Sequence, residues 1–114
     1  MQRLSALESL TPELEGAAVI SVEGLIIASH LPEALTDDLM AAMSAAMLAL
    51  GERIANDLKR GKLSQVYIKG DQGYVLMMAV DENTVLTTLV NEDAKLGLVF
   101  IDMKRAVADL RRLL

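Results

Sequence analysis

The strongest constraint on the fold is a pair of short segments that are apolar at almost every position. Residues 74–80 read YVLMMAV, and residues 17–22 read AAVISV. Because side chains alternate between the two faces of a β-strand, a strand with one solvated face should alternate apolar and polar residues. Both segments break that alternation, so both faces of their sheet must be covered. This predicts a three-layer α/β/α sandwich.

The remaining patterns predict two groups of strands in this sheet. An opening hairpin turns at the two residues Glu23-Gly24, since glycine adopts positive φ without a steric penalty. A three-stranded antiparallel meander follows later in the chain. The five predicted strands are Ala17–Val22, Leu25–Ser29, Leu63–Lys69, Tyr74–Val80 and Thr84–Val90.

Helical periodicity predicts three helices around these strands. The first is short, carries Leu4 and Leu7 on one face and stops before Thr11-Pro12. The second and longest runs from the N-cap Thr36 to about Leu58 and is ended by Gly61. The third begins near Lys95 and reaches the end of the sequence. The fold is therefore predicted as α+β, in the order helix, two strands, helix, three strands, helix, forming one domain over residues 1–114.

Composition excludes several classes of function. The net charge is −5, which favours neither nucleic acid nor an anionic membrane as a partner. The chain has no cysteine, so disulfides and thiolate metal sites are excluded and a reducing cytoplasm is expected. The first ten residues gain Ser5 and Glu8 too early for the apolar region of a signal peptide, so none is expected. The most apolar segment, Leu39–Leu50, is shorter than the roughly 18 to 20 residues that cross a bilayer.

One predicted strand and one predicted helix surface lack a partner within the chain. The strand from Leu63 alternates apolar and polar residues, which indicates an edge strand presenting Leu63, Gln65, Tyr67 and Lys69. On the second helix, one line of large side chains should pack on the sheet: Leu39, Met40, Met43, Met47, Leu50, Ile54 and Leu58. The opposite line should be charged but carries Ala41, Ala42, Ala45, Leu48 and Ala49 before Glu52.

A helix that is apolar all round is buried all round. We therefore expect this alanine-rich line to pack against a second copy of the chain or another protein. The alternative is that alanine is simply a good helix former on an exposed surface. An open strand and an apolar helix together predict a homodimer, with sheets joined edge to edge and the long helices side by side.

Candidate catalytic residues do not form a site. His30 has no second histidine or cysteine near it for a metal site or a nucleophile relay. The run RGKLS at residues 60–64 lacks the first glycine and the hydroxyl residue of a phosphate-binding loop. The acidic pairs Asp37-Asp38, Asp81-Glu82 and Glu92-Asp93 suit caps and turns, and Arg53 suits a solvated helix flank. We expect no catalysis, cofactor or metal.

Three stretches, in this order and spacing, carry a resemblance to a known family. They are GAAVISVEGLIIAS at residues 16–29, LGERIANDLKRGKLSQVYIKG at the end of the alanine-rich helix, and NEDAKLGLVFIDMKRAVADLRRLL at residues 91–114. With the order of elements, they resemble the Roadblock family of dynein light chain type, in its prokaryotic small-GTPase regulator branch. The resemblance covers nearly the whole chain, without the extension beyond the last helix that motility regulators carry.

The resemblance implies a sheet between the second helix on one face and the first and third on the other. It implies a homodimer with a ten-stranded sheet, paired through Leu63–Lys69. It also implies a non-catalytic regulator of a Ras-like small GTPase, acting as a GTPase-activating or scaffolding partner. The partner-binding residues carried over are Ala41, Ala42, Ala45, Leu48, Ala49 and Glu52. The alternatives are a passive assembly subunit of a larger complex and a small-ligand sensor, the latter with few polar groups available beyond Ser21, Thr87 and Thr88.

Overall fold

A computed structural model describes residues 13–113, which form five strands and two helices. The opening helix predicted around Leu4 and Leu7 lies outside the described residues. The strands are β1 (Leu14–Ser21), β2 (Ile26–His30), β3 (Gln65–Gly70), β4 (Gly73–Asp81) and β5 (Thr84–Val90). The helices are α1 (Asp37–Asp57) and α2 (Leu96–Leu113), corresponding to the second and third predicted helices. Neither helix is both long and apolar enough to cross a bilayer.

The strands form one antiparallel sheet in the order β2-β1-β5-β4-β3. Register pairs such as Val19 with Leu86 and Met78 with Leu86 place β1 and β4 on either side of β5. The predicted five-stranded antiparallel sheet is confirmed, with β3 at one edge as expected. The other edge is β2, a position that its apolar sequence did not predict.

The two helices cover opposite faces of this sheet. In β4, Leu76 and Met78 pack in the same cluster as the α2 residue Met103, whereas Met77 packs in the cluster that contains α1 residues. Residues 17–20 of β1 and residues 76–78 and 80 of β4 are buried on both faces as predicted, and a large apolar side chain contributes roughly 1.5–3 kcal/mol when fully removed from water. Tyr74, Val75 and Ala79 are half-buried, and Val22 lies outside β1 and is exposed. The described part of the molecule therefore has an apolar core on each side of its sheet.

The opening hairpin turns through three residues instead of the predicted two. The N–H of Gly24 donates to the carbonyl of Ser21 (2.9 Å), and the N–H of Ser21 donates to the carbonyl of Leu25 (2.8 Å). Gly24 has φ +88°, as this type of loop requires. The N–H of Val22 makes no hydrogen bond within the hairpin loop and instead donates to the carbonyl of Asn83 (2.9 Å), in the turn between β4 and β5.

The ends of α1 show how its backbone groups are satisfied. The Thr36 hydroxyl accepts a hydrogen bond from the N–H of Leu39 (3.1 Å), confirming the predicted N-cap. The helix ends at Asp57, and Lys59 takes the left-handed position at its end with φ +58°. Gly61, predicted to end the helix, has a positive φ of +83° two residues later. The N–H groups of Lys59 and Arg60 then donate to the carbonyls of Asn56 (3.1 Å) and Ala55 (2.7 Å).

The predicted orientation of α1 about its axis is wrong. Ala41 and Leu48, expected to face away from the sheet, are buried against it, and Met43, expected in the core, is 57% exposed. Of the line predicted to pack on the sheet, only Met40 is buried and Met47 half-buried. The other five residues are exposed: Leu39, Met43, Leu50, Ile54 and Leu58. At 100° per residue, the helix is turned by about 100° from the prediction.

The physical reason lies in side-chain size. The sheet supplies large side chains to this core, including Ile20, Met77 and Val85, so the helix packs its small residues on them. Ser44 is fully buried there, and a Cβ on Gly51 would lie only 2.9 Å from a terminal carbon of Leu63. Close approach of helix and sheet therefore leaves room beneath α1 for Met40 and Leu48, but not for its other long side chains.

Candidate interaction surface

The rotation of α1 creates an open apolar groove between this helix and the edge strand β3. The groove has a volume of about 580 Å³. The helix side is formed mainly by Leu39, Met43, Ala46, Met47, Leu50 and Ile54. The sheet side is formed mainly by Val66, Ile68, Val75 and Leu89. A contiguous exposed groove of aliphatic and methionine side chains marks an interaction surface for an apolar partner.

The edge strand β3 continues this apolar surface. Tyr67 and Ile68 are both more than half exposed, and β3 pairs on one side only, with β4, among the described strands. Of the predicted edge residues, Gln65, Tyr67 and Lys69 lie in the strand, whereas Leu63 precedes it and packs beside the α1 core. Lys69 places its Nζ 5.9 Å from the centre of the Tyr74 ring. The groove and an unpaired strand edge are therefore adjacent.

The six predicted partner-binding residues do not form one surface. Ala42, Ala49 and Glu52 are exposed. Ala45 is half-buried, with its Cβ 3.7 Å from where a side chain on Gly24 would begin. Ala41 and Leu48 lie beneath the helix, so their assignment to an outward surface was wrong.

Sequence reasoning missed the groove, although it identified the residues that form its helix side. The sequence feature that could have predicted the groove is the number of large apolar side chains on α1, which is greater than one sheet-facing stripe requires. Once the small residues take the core position, Leu39, Met43, Leu50 and Ile54 are left as a second apolar stripe. Packing within the chain does not bury this second stripe and therefore does not explain why its residues are apolar.

The polar side chains considered for a ligand pocket are bonded within the protein. The Ser44 hydroxyl donates to the hydroxyl of Thr87 (3.0 Å) across the α1 core. The Thr88 hydroxyl donates to the sulfur of Met103 (3.4 Å) on the opposite face. The Ser21 hydroxyl accepts from the N–H of Leu25 (3.1 Å). Since a ligand pocket needs polar groups that converge on one cavity, these contacts disfavour the small-ligand sensor.

Acidic residues at the loops and helix starts have local roles. Asp37 accepts a hydrogen bond from the Ser29 hydroxyl (2.6 Å), and Asp81 accepts one from the N–H of Asn83 (2.8 Å). Arg53 lies 3.5 Å from Asp57 in an exposed pair one helical turn apart. Among residues 13–113, no group of histidine and acidic side chains is arranged to hold a metal ion. Asp37, Asp81 and Arg53 are therefore accounted for by contacts within the chain.

Comparison of the whole fold with solved structures places this geometry among known proteins. The crystal structure of a Roadblock/LC7 domain from Streptomyces avermitilis covers 98% of this chain and 94% of its own, with a TM-score of 0.91 and 22% identity. Myxococcus xanthus MglB has a TM-score of 0.87 at 18% identity, covering 99% and 94% of the two chains. The gliding protein MglB of Thermus thermophilus has a TM-score of 0.87 at 23% identity, covering 97% and 84%. These likenesses establish the fold.

Sequence comparison identifies the family of the chain. Two uncharacterised proteins of Methanocaldococcus jannaschii are each 36% identical to this chain over 101 residues, covering 89% of it and 88% of their own length. The sequence model of the Roadblock/LC7 domain matches residues 3–90. Together with the confirmed sheet and helix arrangement, these matches show that the chain belongs to the Roadblock/LC7 family.

Proposed function

We propose that the chain is a non-catalytic homodimeric regulator of a Ras-like small GTPase, acting in the cytoplasm. The observation that carries this proposal is the apolar groove beside an open edge strand, in a member of the Roadblock/LC7 family. Membership of this family supports a small GTPase as the class of partner, and the groove would be the surface through which two copies join.

In the proposed dimer, two β3 strands pair antiparallel and extend the sheet to ten strands. Pairing would satisfy the open row of β3 backbone groups, which an isolated edge strand leaves to water. The same twofold axis brings the two α1 helices together, so that each groove receives apolar side chains such as Met43 and Leu50 from the partner helix. The exposed apolar stripe and the open edge would thus be covered by one association.

The GTPase would then bind the outer surface of the paired α1 helices. Ala42 and Ala49 remain exposed there, and their small side chains allow a partner backbone to approach closely. Arg53 lies toward the end of this surface but is paired with Asp57, so we do not assign it the role of a charge-donating arginine. Any acceleration of GTP hydrolysis would come from ordering the switch loops of the GTPase itself.

Three measurements test the proposal in sequence. Light scattering should give twice the 12.3 kDa chain mass for the wild type, and the chain mass for Ile68→Lys, which places a charge on the proposed dimer edge. Purified small GTPases from the same genome, loaded with GDP or a GTP analogue, should then bind the wild type in a nucleotide-dependent manner. Single-turnover GTP hydrolysis with and without the chain would show whether binding also stimulates the reaction.

A matched pair of variants locates the GTPase surface. Ala49→Arg should abolish GTPase binding while the dimer persists, whereas Leu98→Arg, at an exposed position on α2, should bind normally. Equal binding to both nucleotide states would instead support the passive assembly subunit. A monomeric wild type at micromolar concentration would refute the dimer.

A further inference from the structure

The charges of this chain are unevenly distributed along its sequence and across its sheet. Between residues 13 and 52 there is no lysine or arginine, whereas there are seven carboxylates: Glu13, Glu15, Glu23, Glu33, Asp37, Asp38 and Glu52. This segment forms β1, β2 and most of α1. The opposite edge of the sheet, β3, carries Lys69 and follows the basic run Lys59-Arg60-Gly61-Lys62. The β2 edge is therefore flanked by carboxylates alone within this segment, whereas the basic residues near β3 are mixed with carboxylates: Glu52 and Asp57 line the same surface as Lys62, and Asp71 follows the strand.

The acidic edge, β2, is also an open strand. It pairs with β1, and no described strand lies on its other side. Leu25 and Ile27 are 63% and 44% exposed, and β2 itself contains no lysine, arginine or proline. Edge strands that do not bind partners are usually protected by such residues or by a covering element. β2 has none of these residues, but it is short, and its pairing with β1 has a bulge at Ile27, between the pairs Val19–Ala28 and Ile20–Ile26. The side chain of Ile27 remains exposed at this bulge.

Carboxylates flank β2 at both ends. Glu23 lies in the hairpin loop just before the strand, and Glu33 follows shortly after it; both are exposed. The hydrogen bond from the Ser29 hydroxyl to Asp37 holds a further carboxylate beside the strand. An incoming strand would therefore meet apolar contacts near its middle and negative charge near both ends.

We propose that β2 is a docking edge for an extended, basic segment of a partner protein. The segment would add as a sixth strand, with backbone hydrogen bonds supplying affinity. Its apolar side chains would cover Ile27 and Leu25, and its lysine or arginine side chains would reach Glu23 and Glu33. The charge pattern selects a basic segment because an acidic one would face carboxylates with no cation between residues 13 and 52.

The probe is a synthetic peptide of about six residues alternating lysine and valine, long enough to match the five residues of β2. Controls are an alternating glutamate and valine peptide and a lysine and valine peptide with central prolines. In an NMR titration, only the basic peptide should shift the amide signals of residues 21–31. The apparent Kd should rise about tenfold or more when salt is raised from low to high ionic strength, since the flanking ion pairs are exposed.

Two variants connect the binding to the edge. Ile27→Lys should weaken binding of the basic peptide about tenfold or more, because it places a like charge on the strand. The double variant Glu23→Lys and Glu33→Lys should weaken binding to the same extent, and both positions are exposed, so that folding is not endangered. Ile68→Lys on the opposite edge should leave peptide binding unchanged, while the mass measured in solution falls from that of the proposed dimer to that of a single chain. The two proposals can thus fail separately.

Several results would overturn the β2 proposal. Equal binding of the acidic peptide, shifts confined to β3, or no binding by the basic peptide would each do so. Self-assembly of the chain that Ile27→Lys abolishes would show that the occupant is a second copy.

Discussion

The orientation of α1 predicts that two leucines two residues apart respond very differently to the same change. Leu48 is 9% exposed and lies in the core between α1 and the sheet, whereas Leu50 is 60% exposed and lines the groove. Leu48→Ala should lower the free energy of unfolding by about 2–5 kcal/mol, because it removes buried carbon and leaves a cavity that packed neighbours cannot fill.

The expected loss for Leu50→Ala is smaller. Full burial of a leucine contributes roughly 1.5–3 kcal/mol, and about 40% of Leu50 is covered within the chain, so truncation should cost about 0.5–1 kcal/mol. A typical domain has only about 5–15 kcal/mol of stability in total. The two variants should therefore differ by a shift in urea midpoint that is readily measured.

The assay should separate folding from association. Both substitutions are compared in the Ile68→Lys background, where the proposed dimer cannot form, by urea denaturation at two protein concentrations. In the wild-type background, Leu50→Ala should additionally weaken the concentration dependence of unfolding, as expected when a residue contributes to an interface. Equal losses in the monomeric background, or a larger loss for Leu50→Ala, would contradict the orientation of the helix.

Three further predictions concern single contacts, each measured by urea denaturation. Gly16→Ala should destabilise the fold by about 1–3 kcal/mol, because a Cβ there would lie 2.9 Å from Pro32 and 3.2 Å from the His30 carbonyl. Gly97→Ala, with open space around it, should instead stabilise α2 by up to about 1 kcal/mol. A loss of stability at both positions would contradict this prediction. Thr87→Val should cost about 1–3 kcal/mol by leaving the buried Ser44 hydroxyl without its partner, and adding Ser44→Ala should recover part of that loss. Lys59→Gly should stabilise the chain by about 0.5–1 kcal/mol by relieving its left-handed backbone, and no gain would show that the strain is compensated locally.

The sheet could be predicted from the sequence because strand geometry leaves little freedom. Side chains in a strand alternate strictly, so a segment such as Tyr74–Val80 that is apolar on both faces has to be covered on both. The alternation around Tyr67 likewise identified β3 as an edge. Strand order is less constrained, and nothing in the apolar sequence of β2 distinguishes an edge strand from a central one.

The helix surface was harder to predict because α1 has apolar residues around most of its circumference. A pattern of this kind defines no single buried face, and large side chains such as Met43 and Leu50 were the natural candidates for the core. The outcome depended on the sheet, whose own large residues, among them Met77, require small partners such as Ala41 and Ser44. Such complementarity between two surfaces is not visible in either segment alone.

The groove side chains alone do not explain a stable dimer. Met43, Leu50 and Ile54 are each about half exposed, so covering them would contribute roughly 1 kcal/mol apiece on each subunit. Association costs an estimated 4–15 kcal/mol in lost freedom of motion, so this gain is largely offset. The additional stabilisation has to come from β3, where strand pairing and burial of Tyr67 and Ile68 enlarge the same interface. The edge strand and the groove are therefore interdependent, and loss of either one should separate the subunits.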